Sequence, residues 1–121
     1  MDFNKNKPIF RQIVDLCYHR ILAGDWQPEA RVPSVRELGT ELAVNSHTVL
    51  KAYEVMEKQK VITQKRGLGF FLTSDAPEKV MAEKRKEFYD ETLPAIFAEM
   101  KSLGIGIDDV VAKFSVIECS K

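Results

Sequence analysis

The sequence has no surplus of charge, no long apolar run and very little cysteine or histidine. Its 18 Lys and Arg balance 18 Asp and Glu, which taken alone argues against a partner as acidic as nucleic acid. No apolar stretch approaches the roughly 20 residues that cross a bilayer, and the opening residues Met1 to Pro8 lack the apolar core of a signal peptide. A cytoplasmic location is therefore expected. The two cysteines, Cys17 and Cys119, lie far apart and outside any Cys-x-x-Cys pair, so neither a disulfide framework nor a zinc knuckle is expected and both read as bystanders. The two histidines, His19 and His47, fall in different predicted helices, with no Ser/His/Asp or Cys/His grouping and no His-Glu-x-x-His spacing. Neither catalysis nor a metal or other cofactor is expected. A chain of 121 residues is also short for a large enzyme with a buried cleft.

What is present is an ordinary globular composition, 45% apolar and 30% charged, which supports a core and excludes a chain disordered throughout. The zero net charge hides an asymmetry. Residues 1–74 carry 11 Lys and Arg against 8 Asp and Glu, a net of +3, and residues 75–121 carry 7 against 10, a net of −3. The change falls near Ser74-Asp75-Ala76-Pro77, where the apolar pattern also changes, so two parts are expected, residues 1–75 and 76–121.

In the first part, Phe10, Val14, Cys17 and Ile21 follow Pro8 at helical spacing and predict a helix from about Pro8 to Ala23, stopped by Gly24. Asp25 to Ala30 reads as a loop with Trp26 against the core. Ser34-Val35-Arg36-Glu37 fits a capping box and predicts a short second helix ending near Ala43. Asn45 caps a third, whose inward stripe is Val49, Ala52, Tyr53 and Met56. At 100° per residue the opposite face carries His47, Lys51, Glu54 and Lys58, with Leu50 at its flank. Val61 to Gln64 and Phe70 to Thr73 are β-prone runs around the basic, glycine-containing turn Lys65 to Gly69, which reads as a hairpin.

The second part predicts a long helix through Met81, Phe88, Ile96, Met100 and Leu103, kinked or broken just before Pro94, where the ring removes an amide donor. Gly104 and Gly106 punctuate it. A last helix carries Ile107, Val110, Val111, Phe114 and Ile117 on one side. Two helices alone cannot cover Phe88, Leu93, Ile96, Phe97, Met100, Val110, Val111 and Phe114, so a second copy of the chain is expected to bury them.

The expected fold is mainly α with a small β-hairpin: an N-terminal winged helix-turn-helix followed by a C-terminal helical dimerisation tail. Two helices joined by a few residues, the second with an exposed polar face, followed by a basic hairpin, form a constellation suited to DNA. Ser46, His47 and Lys51 can donate hydrogen bonds to base edges, Leu50 can touch a thymine methyl, and Thr48 suits a phosphate oxygen. Lys65 and Arg66 suit a phosphate track or a narrow minor groove, and Gly67 permits close backbone approach. Ser34 and Asn45, at the starts of the two helices, complete the expected interface. A capping box or a basic hairpin alone would say little; their order carries the reading.

Pro8-Ile9-Phe10-Arg11-Gln12-Ile13, Val32-Pro33-Ser34-Val35-Arg36-Glu37-Leu38, Val44-Asn45 with Thr48-Val49, Ala52-Tyr53, and Gly67-Leu68-Gly69-Phe70-Phe71-Leu72 together resemble the N-terminal domain of GntR-family bacterial regulators over about residues 8 to 73. The resemblance implies a winged helix that reads an inverted-repeat operator as a homodimer. By position, Arg36, Ser46, His47, Thr48, Lys51 and Gly67 fall where the family touches DNA. Glu29 stands where the family usually has glycine, Gly39 replaces the common alanine at about 1 kcal/mol of helix propensity, and Leu50 stands where many members are basic. The short tail resembles that of the YtrA-like subfamily, whose members use it mainly to dimerise, which implies a transcriptional regulator, expected to repress. The competing expectation is a winged-helix module whose charged wing meets a protein. No convergent set of polar residues identifies a small-molecule effector.

Overall fold

The computed structural model describes residues 7–119, apart from the side chain of Cys119. The opening segment Met1 to Asn6 and the reading of Cys119 as a bystander lie outside the described residues. The chain forms two compact units that divide between Glu83 and Lys84.

In the N-terminal unit, α1 (Ile9–Ala23) begins after Pro8, whose φ of −56° suits a helix entry, and ends on Gly24 in the left-handed conformation at φ 85°. Its inward face is Ile13, Val14, Cys17, Tyr18 and Ile21, while Phe10 is half-buried. The ordinary loop after it buries Trp26 as expected. Within that loop Glu29 takes a left-handed φ of 67°, the conformation that accounts for glycine being usual there.

The helix α2 (Val35–Leu42) starts with the full capping box. The Ser34 hydroxyl accepts from the Glu37 amide at 3.0 Å, and the Glu37 carboxylate accepts from the Ser34 amide at 2.9 Å. The turn to α3 is tight. A Cβ built on Gly39 would stand 3.0 Å from the Val44 carbonyl oxygen, so the helix propensity lost at this glycine accompanies a close approach of backbone in the turn. Asn45 caps α3 (Ser46–Lys58), its side-chain oxygen accepting from the His47 amide at 2.8 Å. Val49, Ala52, Tyr53 and Met56 are all fully buried, as the periodicity predicts. Burying a side chain such as Met56 contributes about 2 kcal/mol.

The hairpin pairs β1 (Ile62–Lys65) antiparallel with β2 (Gly69–Leu72), in the register Ile62 with Leu72 and Lys65 with Gly69. A third segment, with no β pattern of its own, joins its other edge. Arg31 pairs with Phe71, the Val32 amide donates to the Phe70 carbonyl at 2.9 Å, and the Leu72 amide donates to the Ala30 carbonyl at 2.9 Å. One face of this sheet sends Val32, Ile62 and Leu72 into the core. Phe70 on the same face meets Tyr53 edge-on, ring centroids 5.1 Å apart.

Helix α4 (Ala76–Glu87) starts at the expected boundary, but its first turns belong to the N-terminal unit. Ala76 and Val80 are fully buried in the core, and the Lys79 ammonium donates to the Lys60 carbonyl at 3.0 Å. The compact units consequently divide about two turns beyond the charge boundary, because an apolar face rather than net charge decides where packing ends.

The C-terminal unit comprises the end of α4, a π-helical turn over Phe88–Thr92, α5 (Leu93–Leu103) and α6 (Ile107–Cys119). The Leu93 amide reaches back five residues to the Phe88 carbonyl. This wider turn falls just before Pro94, at the expected irregularity, where the proline can offer no amide and its ring crowds the preceding turn. Gly104 ends α5 at φ 69°.

Tyr53 offers a direct test of how the N-terminal unit is held. Its hydroxyl donates to the Pro33 carbonyl at 2.6 Å, so Tyr53→Phe should cost about 1 kcal/mol in chemical denaturation while the fold is retained. An unchanged midpoint would show that this hydrogen bond contributes nothing.

Candidate nucleic-acid interface

The N-terminal half of α3 leaves the core at an angle set by its buried stripe, so its other residues are turned outward. Ser46, His47, Leu50 and Lys51 are exposed, Thr48 is half-buried, and Val49 between them is sealed in the core. The outward row offers hydroxyl, imidazole and ammonium donors beside one apolar side chain, the mixture that base edges and a thymine methyl require. Asn45 contributes differently. Its side-chain oxygen is engaged by the His47 amide, leaving its amide group as the part that could face a partner.

On α2, Arg36 is exposed at the second helical position, one residue beyond Val35. Ser34 is half-buried, with its hydroxyl oxygen committed to the cap and its proton still able to donate. Two backbone amides are satisfied by this box, and Glu37 responds electrically. Hydrogen bonds from the Ser34 amide, and in concert with the Ser34 side chain, hold its carboxyl below the ordinary glutamate value.

At the tip of the hairpin the Leu68 amide donates to the Lys65 carbonyl at 2.8 Å, closing a turn in which Gly67 adopts φ 78°. A Cβ at Gly67 would meet nothing within 4 Å, so the glycine is there for its backbone conformation and leaves the tip open. Arg66 is exposed beside it.

Two of the expected basic residues rest on aromatic rings that the sequence reading had not associated with them. The Lys51 ammonium lies 4.4 Å from the centroid of Phe10 on α1, and the Lys65 ammonium lies 4.5 Å from that of Phe71. Exposed contacts of this kind contribute about 0.5–1 kcal/mol, enough to bias where each cation stands without burying its charge. Phe10 also has the Arg11 guanidinium at 5.6 Å. Positions 10 and 51 are too distant in sequence for any local periodicity to have paired them. The neighbouring pair Lys65 and Phe71 becomes visible once the hairpin register is known.

Elsewhere in this unit the polar groups hold the scaffold. Arg20 pairs with Glu41, tying α1 to α2, and the Tyr18 hydroxyl hydrogen-bonds the Gln59 side chain at the end of α3. Burial pushes the Cys17 thiol up to about 12, which leaves it a protonated apolar core residue at neutral pH. Among the described residues no group of three or more His, Cys, Asp or Glu stands together as metal ligands, and no helix is long and apolar enough to cross a membrane.

The capping box gives a pH-dependent prediction. The contribution of a carboxyl held below its ordinary value is complete above the unfolded value and is lost as pH falls through the folded one. Wild type should therefore lose stability on acidification relative to Glu37→Gln, which keeps an acceptor but does not titrate. Ser34→Ala should cost about 1 kcal/mol at neutral pH and should shrink the acid sensitivity. Parallel stability curves for wild type and Glu37→Gln across acid pH would contradict this assignment.

Comparison with known proteins identifies this arrangement. Residues 10–72 match the bacterial regulatory proteins of the gntR family. The chain is 29% identical over 109 residues to the HTH-type transcriptional regulator YhcF of Bacillus subtilis, covering 90% of this chain and 88% of that protein. It is 29% identical over 108 residues to the HTH-type transcriptional repressor YtrA of Bacillus subtilis, covering 89% and 82%. A GntR family transcriptional regulator from Listeria monocytogenes has a similar structure, with a TM-score of 0.77 and 32% identity over 93% of this chain and 97% of that one. These relatives span the short C-terminal unit as well as the winged helix. The chain belongs to the GntR family of DNA-binding transcriptional regulators, which are not enzymes, and its relatives include the short YtrA type.

Proposed function

We propose that the chain acts in the cytoplasm as a homodimeric repressor that binds an inverted-repeat operator, one winged helix to each half-site. The observation that carries the homodimer is the apolar surface of the C-terminal unit. Phe88, Ile96, Phe97, Val110, Val111 and Phe114 are each between 39% and 63% exposed, Leu93 and Met100 are half-buried, and no described residue of α5 or α6 is buried. A monomer rarely leaves so many large apolar side chains of one small unit in water. A second copy offers the same surface, so a two-fold interface satisfies both at once. Residues 76–121 would serve as the dimerisation tail and residues 1–75 as the DNA-binding part.

On DNA, α3 would enter the major groove with Ser46, His47, Leu50 and Lys51 toward base edges. Arg36 would join these readers from the start of α2, Thr48 would take a phosphate, Ser34 and Asn45 would place the two helix starts, and Lys65, Arg66 and Gly67 would follow the backbone or minor groove. Two-fold pairing of α3 would set half-sites about 34 Å apart, one turn of B-form DNA. Repression is supported by the similarity to YtrA of Bacillus subtilis, a transcriptional repressor. The alternative of a protein-binding wing has no particular observation in its favour.

Binding of the full chain to duplex DNA carrying its own promoter should weaken steeply with salt, because its Lys and Arg displace counterions from the phosphates and added salt opposes their release. Arg36→Ala and Lys51→Ala should each impair operator binding while sedimentation still reports a dimer. Val110→Glu combined with Phe114→Glu should give a monomer that keeps its helical content and loses affinity for the full operator. Salt-independent affinity, or wild-type binding by a demonstrated monomer, would sink the proposal.

A further inference from the structure

The third edge of the wing sheet carries a cation that the sequence reading passed over. Arg31 pairs with Phe71, Phe71 pairs with Thr63, and Gly69 pairs with Lys65. Directly paired residues of an antiparallel sheet point to the same side, as do residues two apart on one strand. Arg31, Phe71, Thr63, Gly69 and Lys65 therefore share one face, opposite the face that buries Val32, Ile62 and Leu72. Arg31, Thr63 and Lys65 on this face are exposed. Phe71 stands among them with the Lys65 ammonium on its ring.

Gly69 shapes the place where Arg31 lies. A Cβ built there would stand 3.0 Å from the Arg31 Nε and 3.9 Å from its Cζ. The guanidinium thus lies in the notch left by the missing side chain, against the strand. Its ion pair is with Glu37, at 3.5 Å between exposed groups, and such a pair contributes little, about 0–1 kcal/mol. Glu37 is at the same time held by the Ser34 amide. The carboxylate is fixed by the cap, and the guanidinium meets it through one nitrogen, one of the three that carry its five donors.

We infer that Arg31 is a further contact to the DNA backbone, donating to a phosphate from the outer face of the wing sheet beside Lys65. The inference rests on the reading that the winged helix binds DNA, and it adds a contact that neither α3 nor the hairpin tip supplies. A planar guanidinium presents paired donors to phosphate oxygens, and exchanging the exposed carboxylate for a phosphate gives up a weak interaction for a charge-assisted one. Arg31 pairs with the edge of β2 opposite the strand that carries Lys65, so it extends the positive charge of the wing across the outer face of the sheet.

The test is fluorescence anisotropy of the full chain on two duplexes, one carrying its own promoter and one of random sequence, across a salt series. Arg31→Ala should weaken both by a similar factor, about tenfold, and should reduce the salt slope by about one. Arg31→Lys should keep the slope. Arg31→Gln, which retains much of the stem packed against Gly69, should behave like alanine and covers the case in which Arg31→Ala folds poorly. A purely structural role would lower the thermal midpoint with the salt slope unchanged, and that outcome overturns the inference. If Lys51→Ala weakens binding while Arg31→Ala and Arg31→Gln match wild type, this contact alone is wrong. If none of these variants alters binding, or neither duplex is bound, the DNA reading beneath it fails too.

Discussion

Tyr53 is the residue on which the geometry of the N-terminal unit turns. It lies on the inward stripe of α3 and is fully buried. Its ring receives Phe70 from the wing edge-on, and its hydroxyl donates to the Pro33 carbonyl just ahead of α2. One side chain therefore references three elements to one another: α3, the hairpin and the start of the preceding helix. Burial raises the phenol well above its ordinary value, so it stays a neutral donor at any pH at which the protein would act. A hydrophobic residue of similar size could fill the space but could not fix the Pro33 carbonyl, and buried polar contacts of this kind select one arrangement among several that pack equally well.

With the scaffold fixed that way, local capping decides which polar groups remain available. Ser34 and Asn45 are the right residue types for contacting DNA, yet their side-chain oxygens accept from the Glu37 and His47 amides. One lone pair of each oxygen is engaged, so the cap fixes the direction of the side chain and reduces what it can offer a partner. Arg36, Ser46, His47 and Leu50 have no such duty, and the proposed contacts to bases would fall mainly to them. Lys51 and Lys65 fall between these groups, each steered by an aromatic ring while its charge remains in solvent.

What could be read from the sequence was whatever has a period or a local partner. The stripe Val49, Ala52, Tyr53 and Met56, the Ser34 and Glu37 box, the Asn45 cap, the Gly24 stop and the irregularity before Pro94 are all settled within a turn or two of chain. The residues missed depend on chain segments brought together by folding. Arg31 carries no signal of its own in the sequence, because its pairing is a short edge contact with a hairpin forty positions on and no alternation announces it. Phe10 looked like a core residue, and half of it is, but its exposed part supports Lys51 from another helix. Gly39 looked like a weakness in α2 until the Val44 carbonyl was placed beside it. The start of α4 looked like the second part by charge, whereas Ala76 and Val80 put it in the first by packing.

The same division bears on how a chain of zero net charge could hold a polyanion. A surplus of about three positive charges over the first 74 residues is small for a free-standing DNA-binding unit, since nonspecific affinity grows with the number of phosphates neutralised. Two remedies are built from different parts of the chain. Within one copy, the wing sheet exposes Arg31, Lys65 and Arg66 together, while acidic residues such as Glu41 and Asp75 are occupied by Arg20 and Lys79. Between copies, the proposed pairing of the C-terminal helices would convert the second half-site contact into an intramolecular step at high effective concentration, so two weak surfaces act as one strong one. Affinity would then scale with the integrity of the apolar tail as much as with any single basic residue. That coupling would give the tail a means of control over binding that does not require it to approach the DNA.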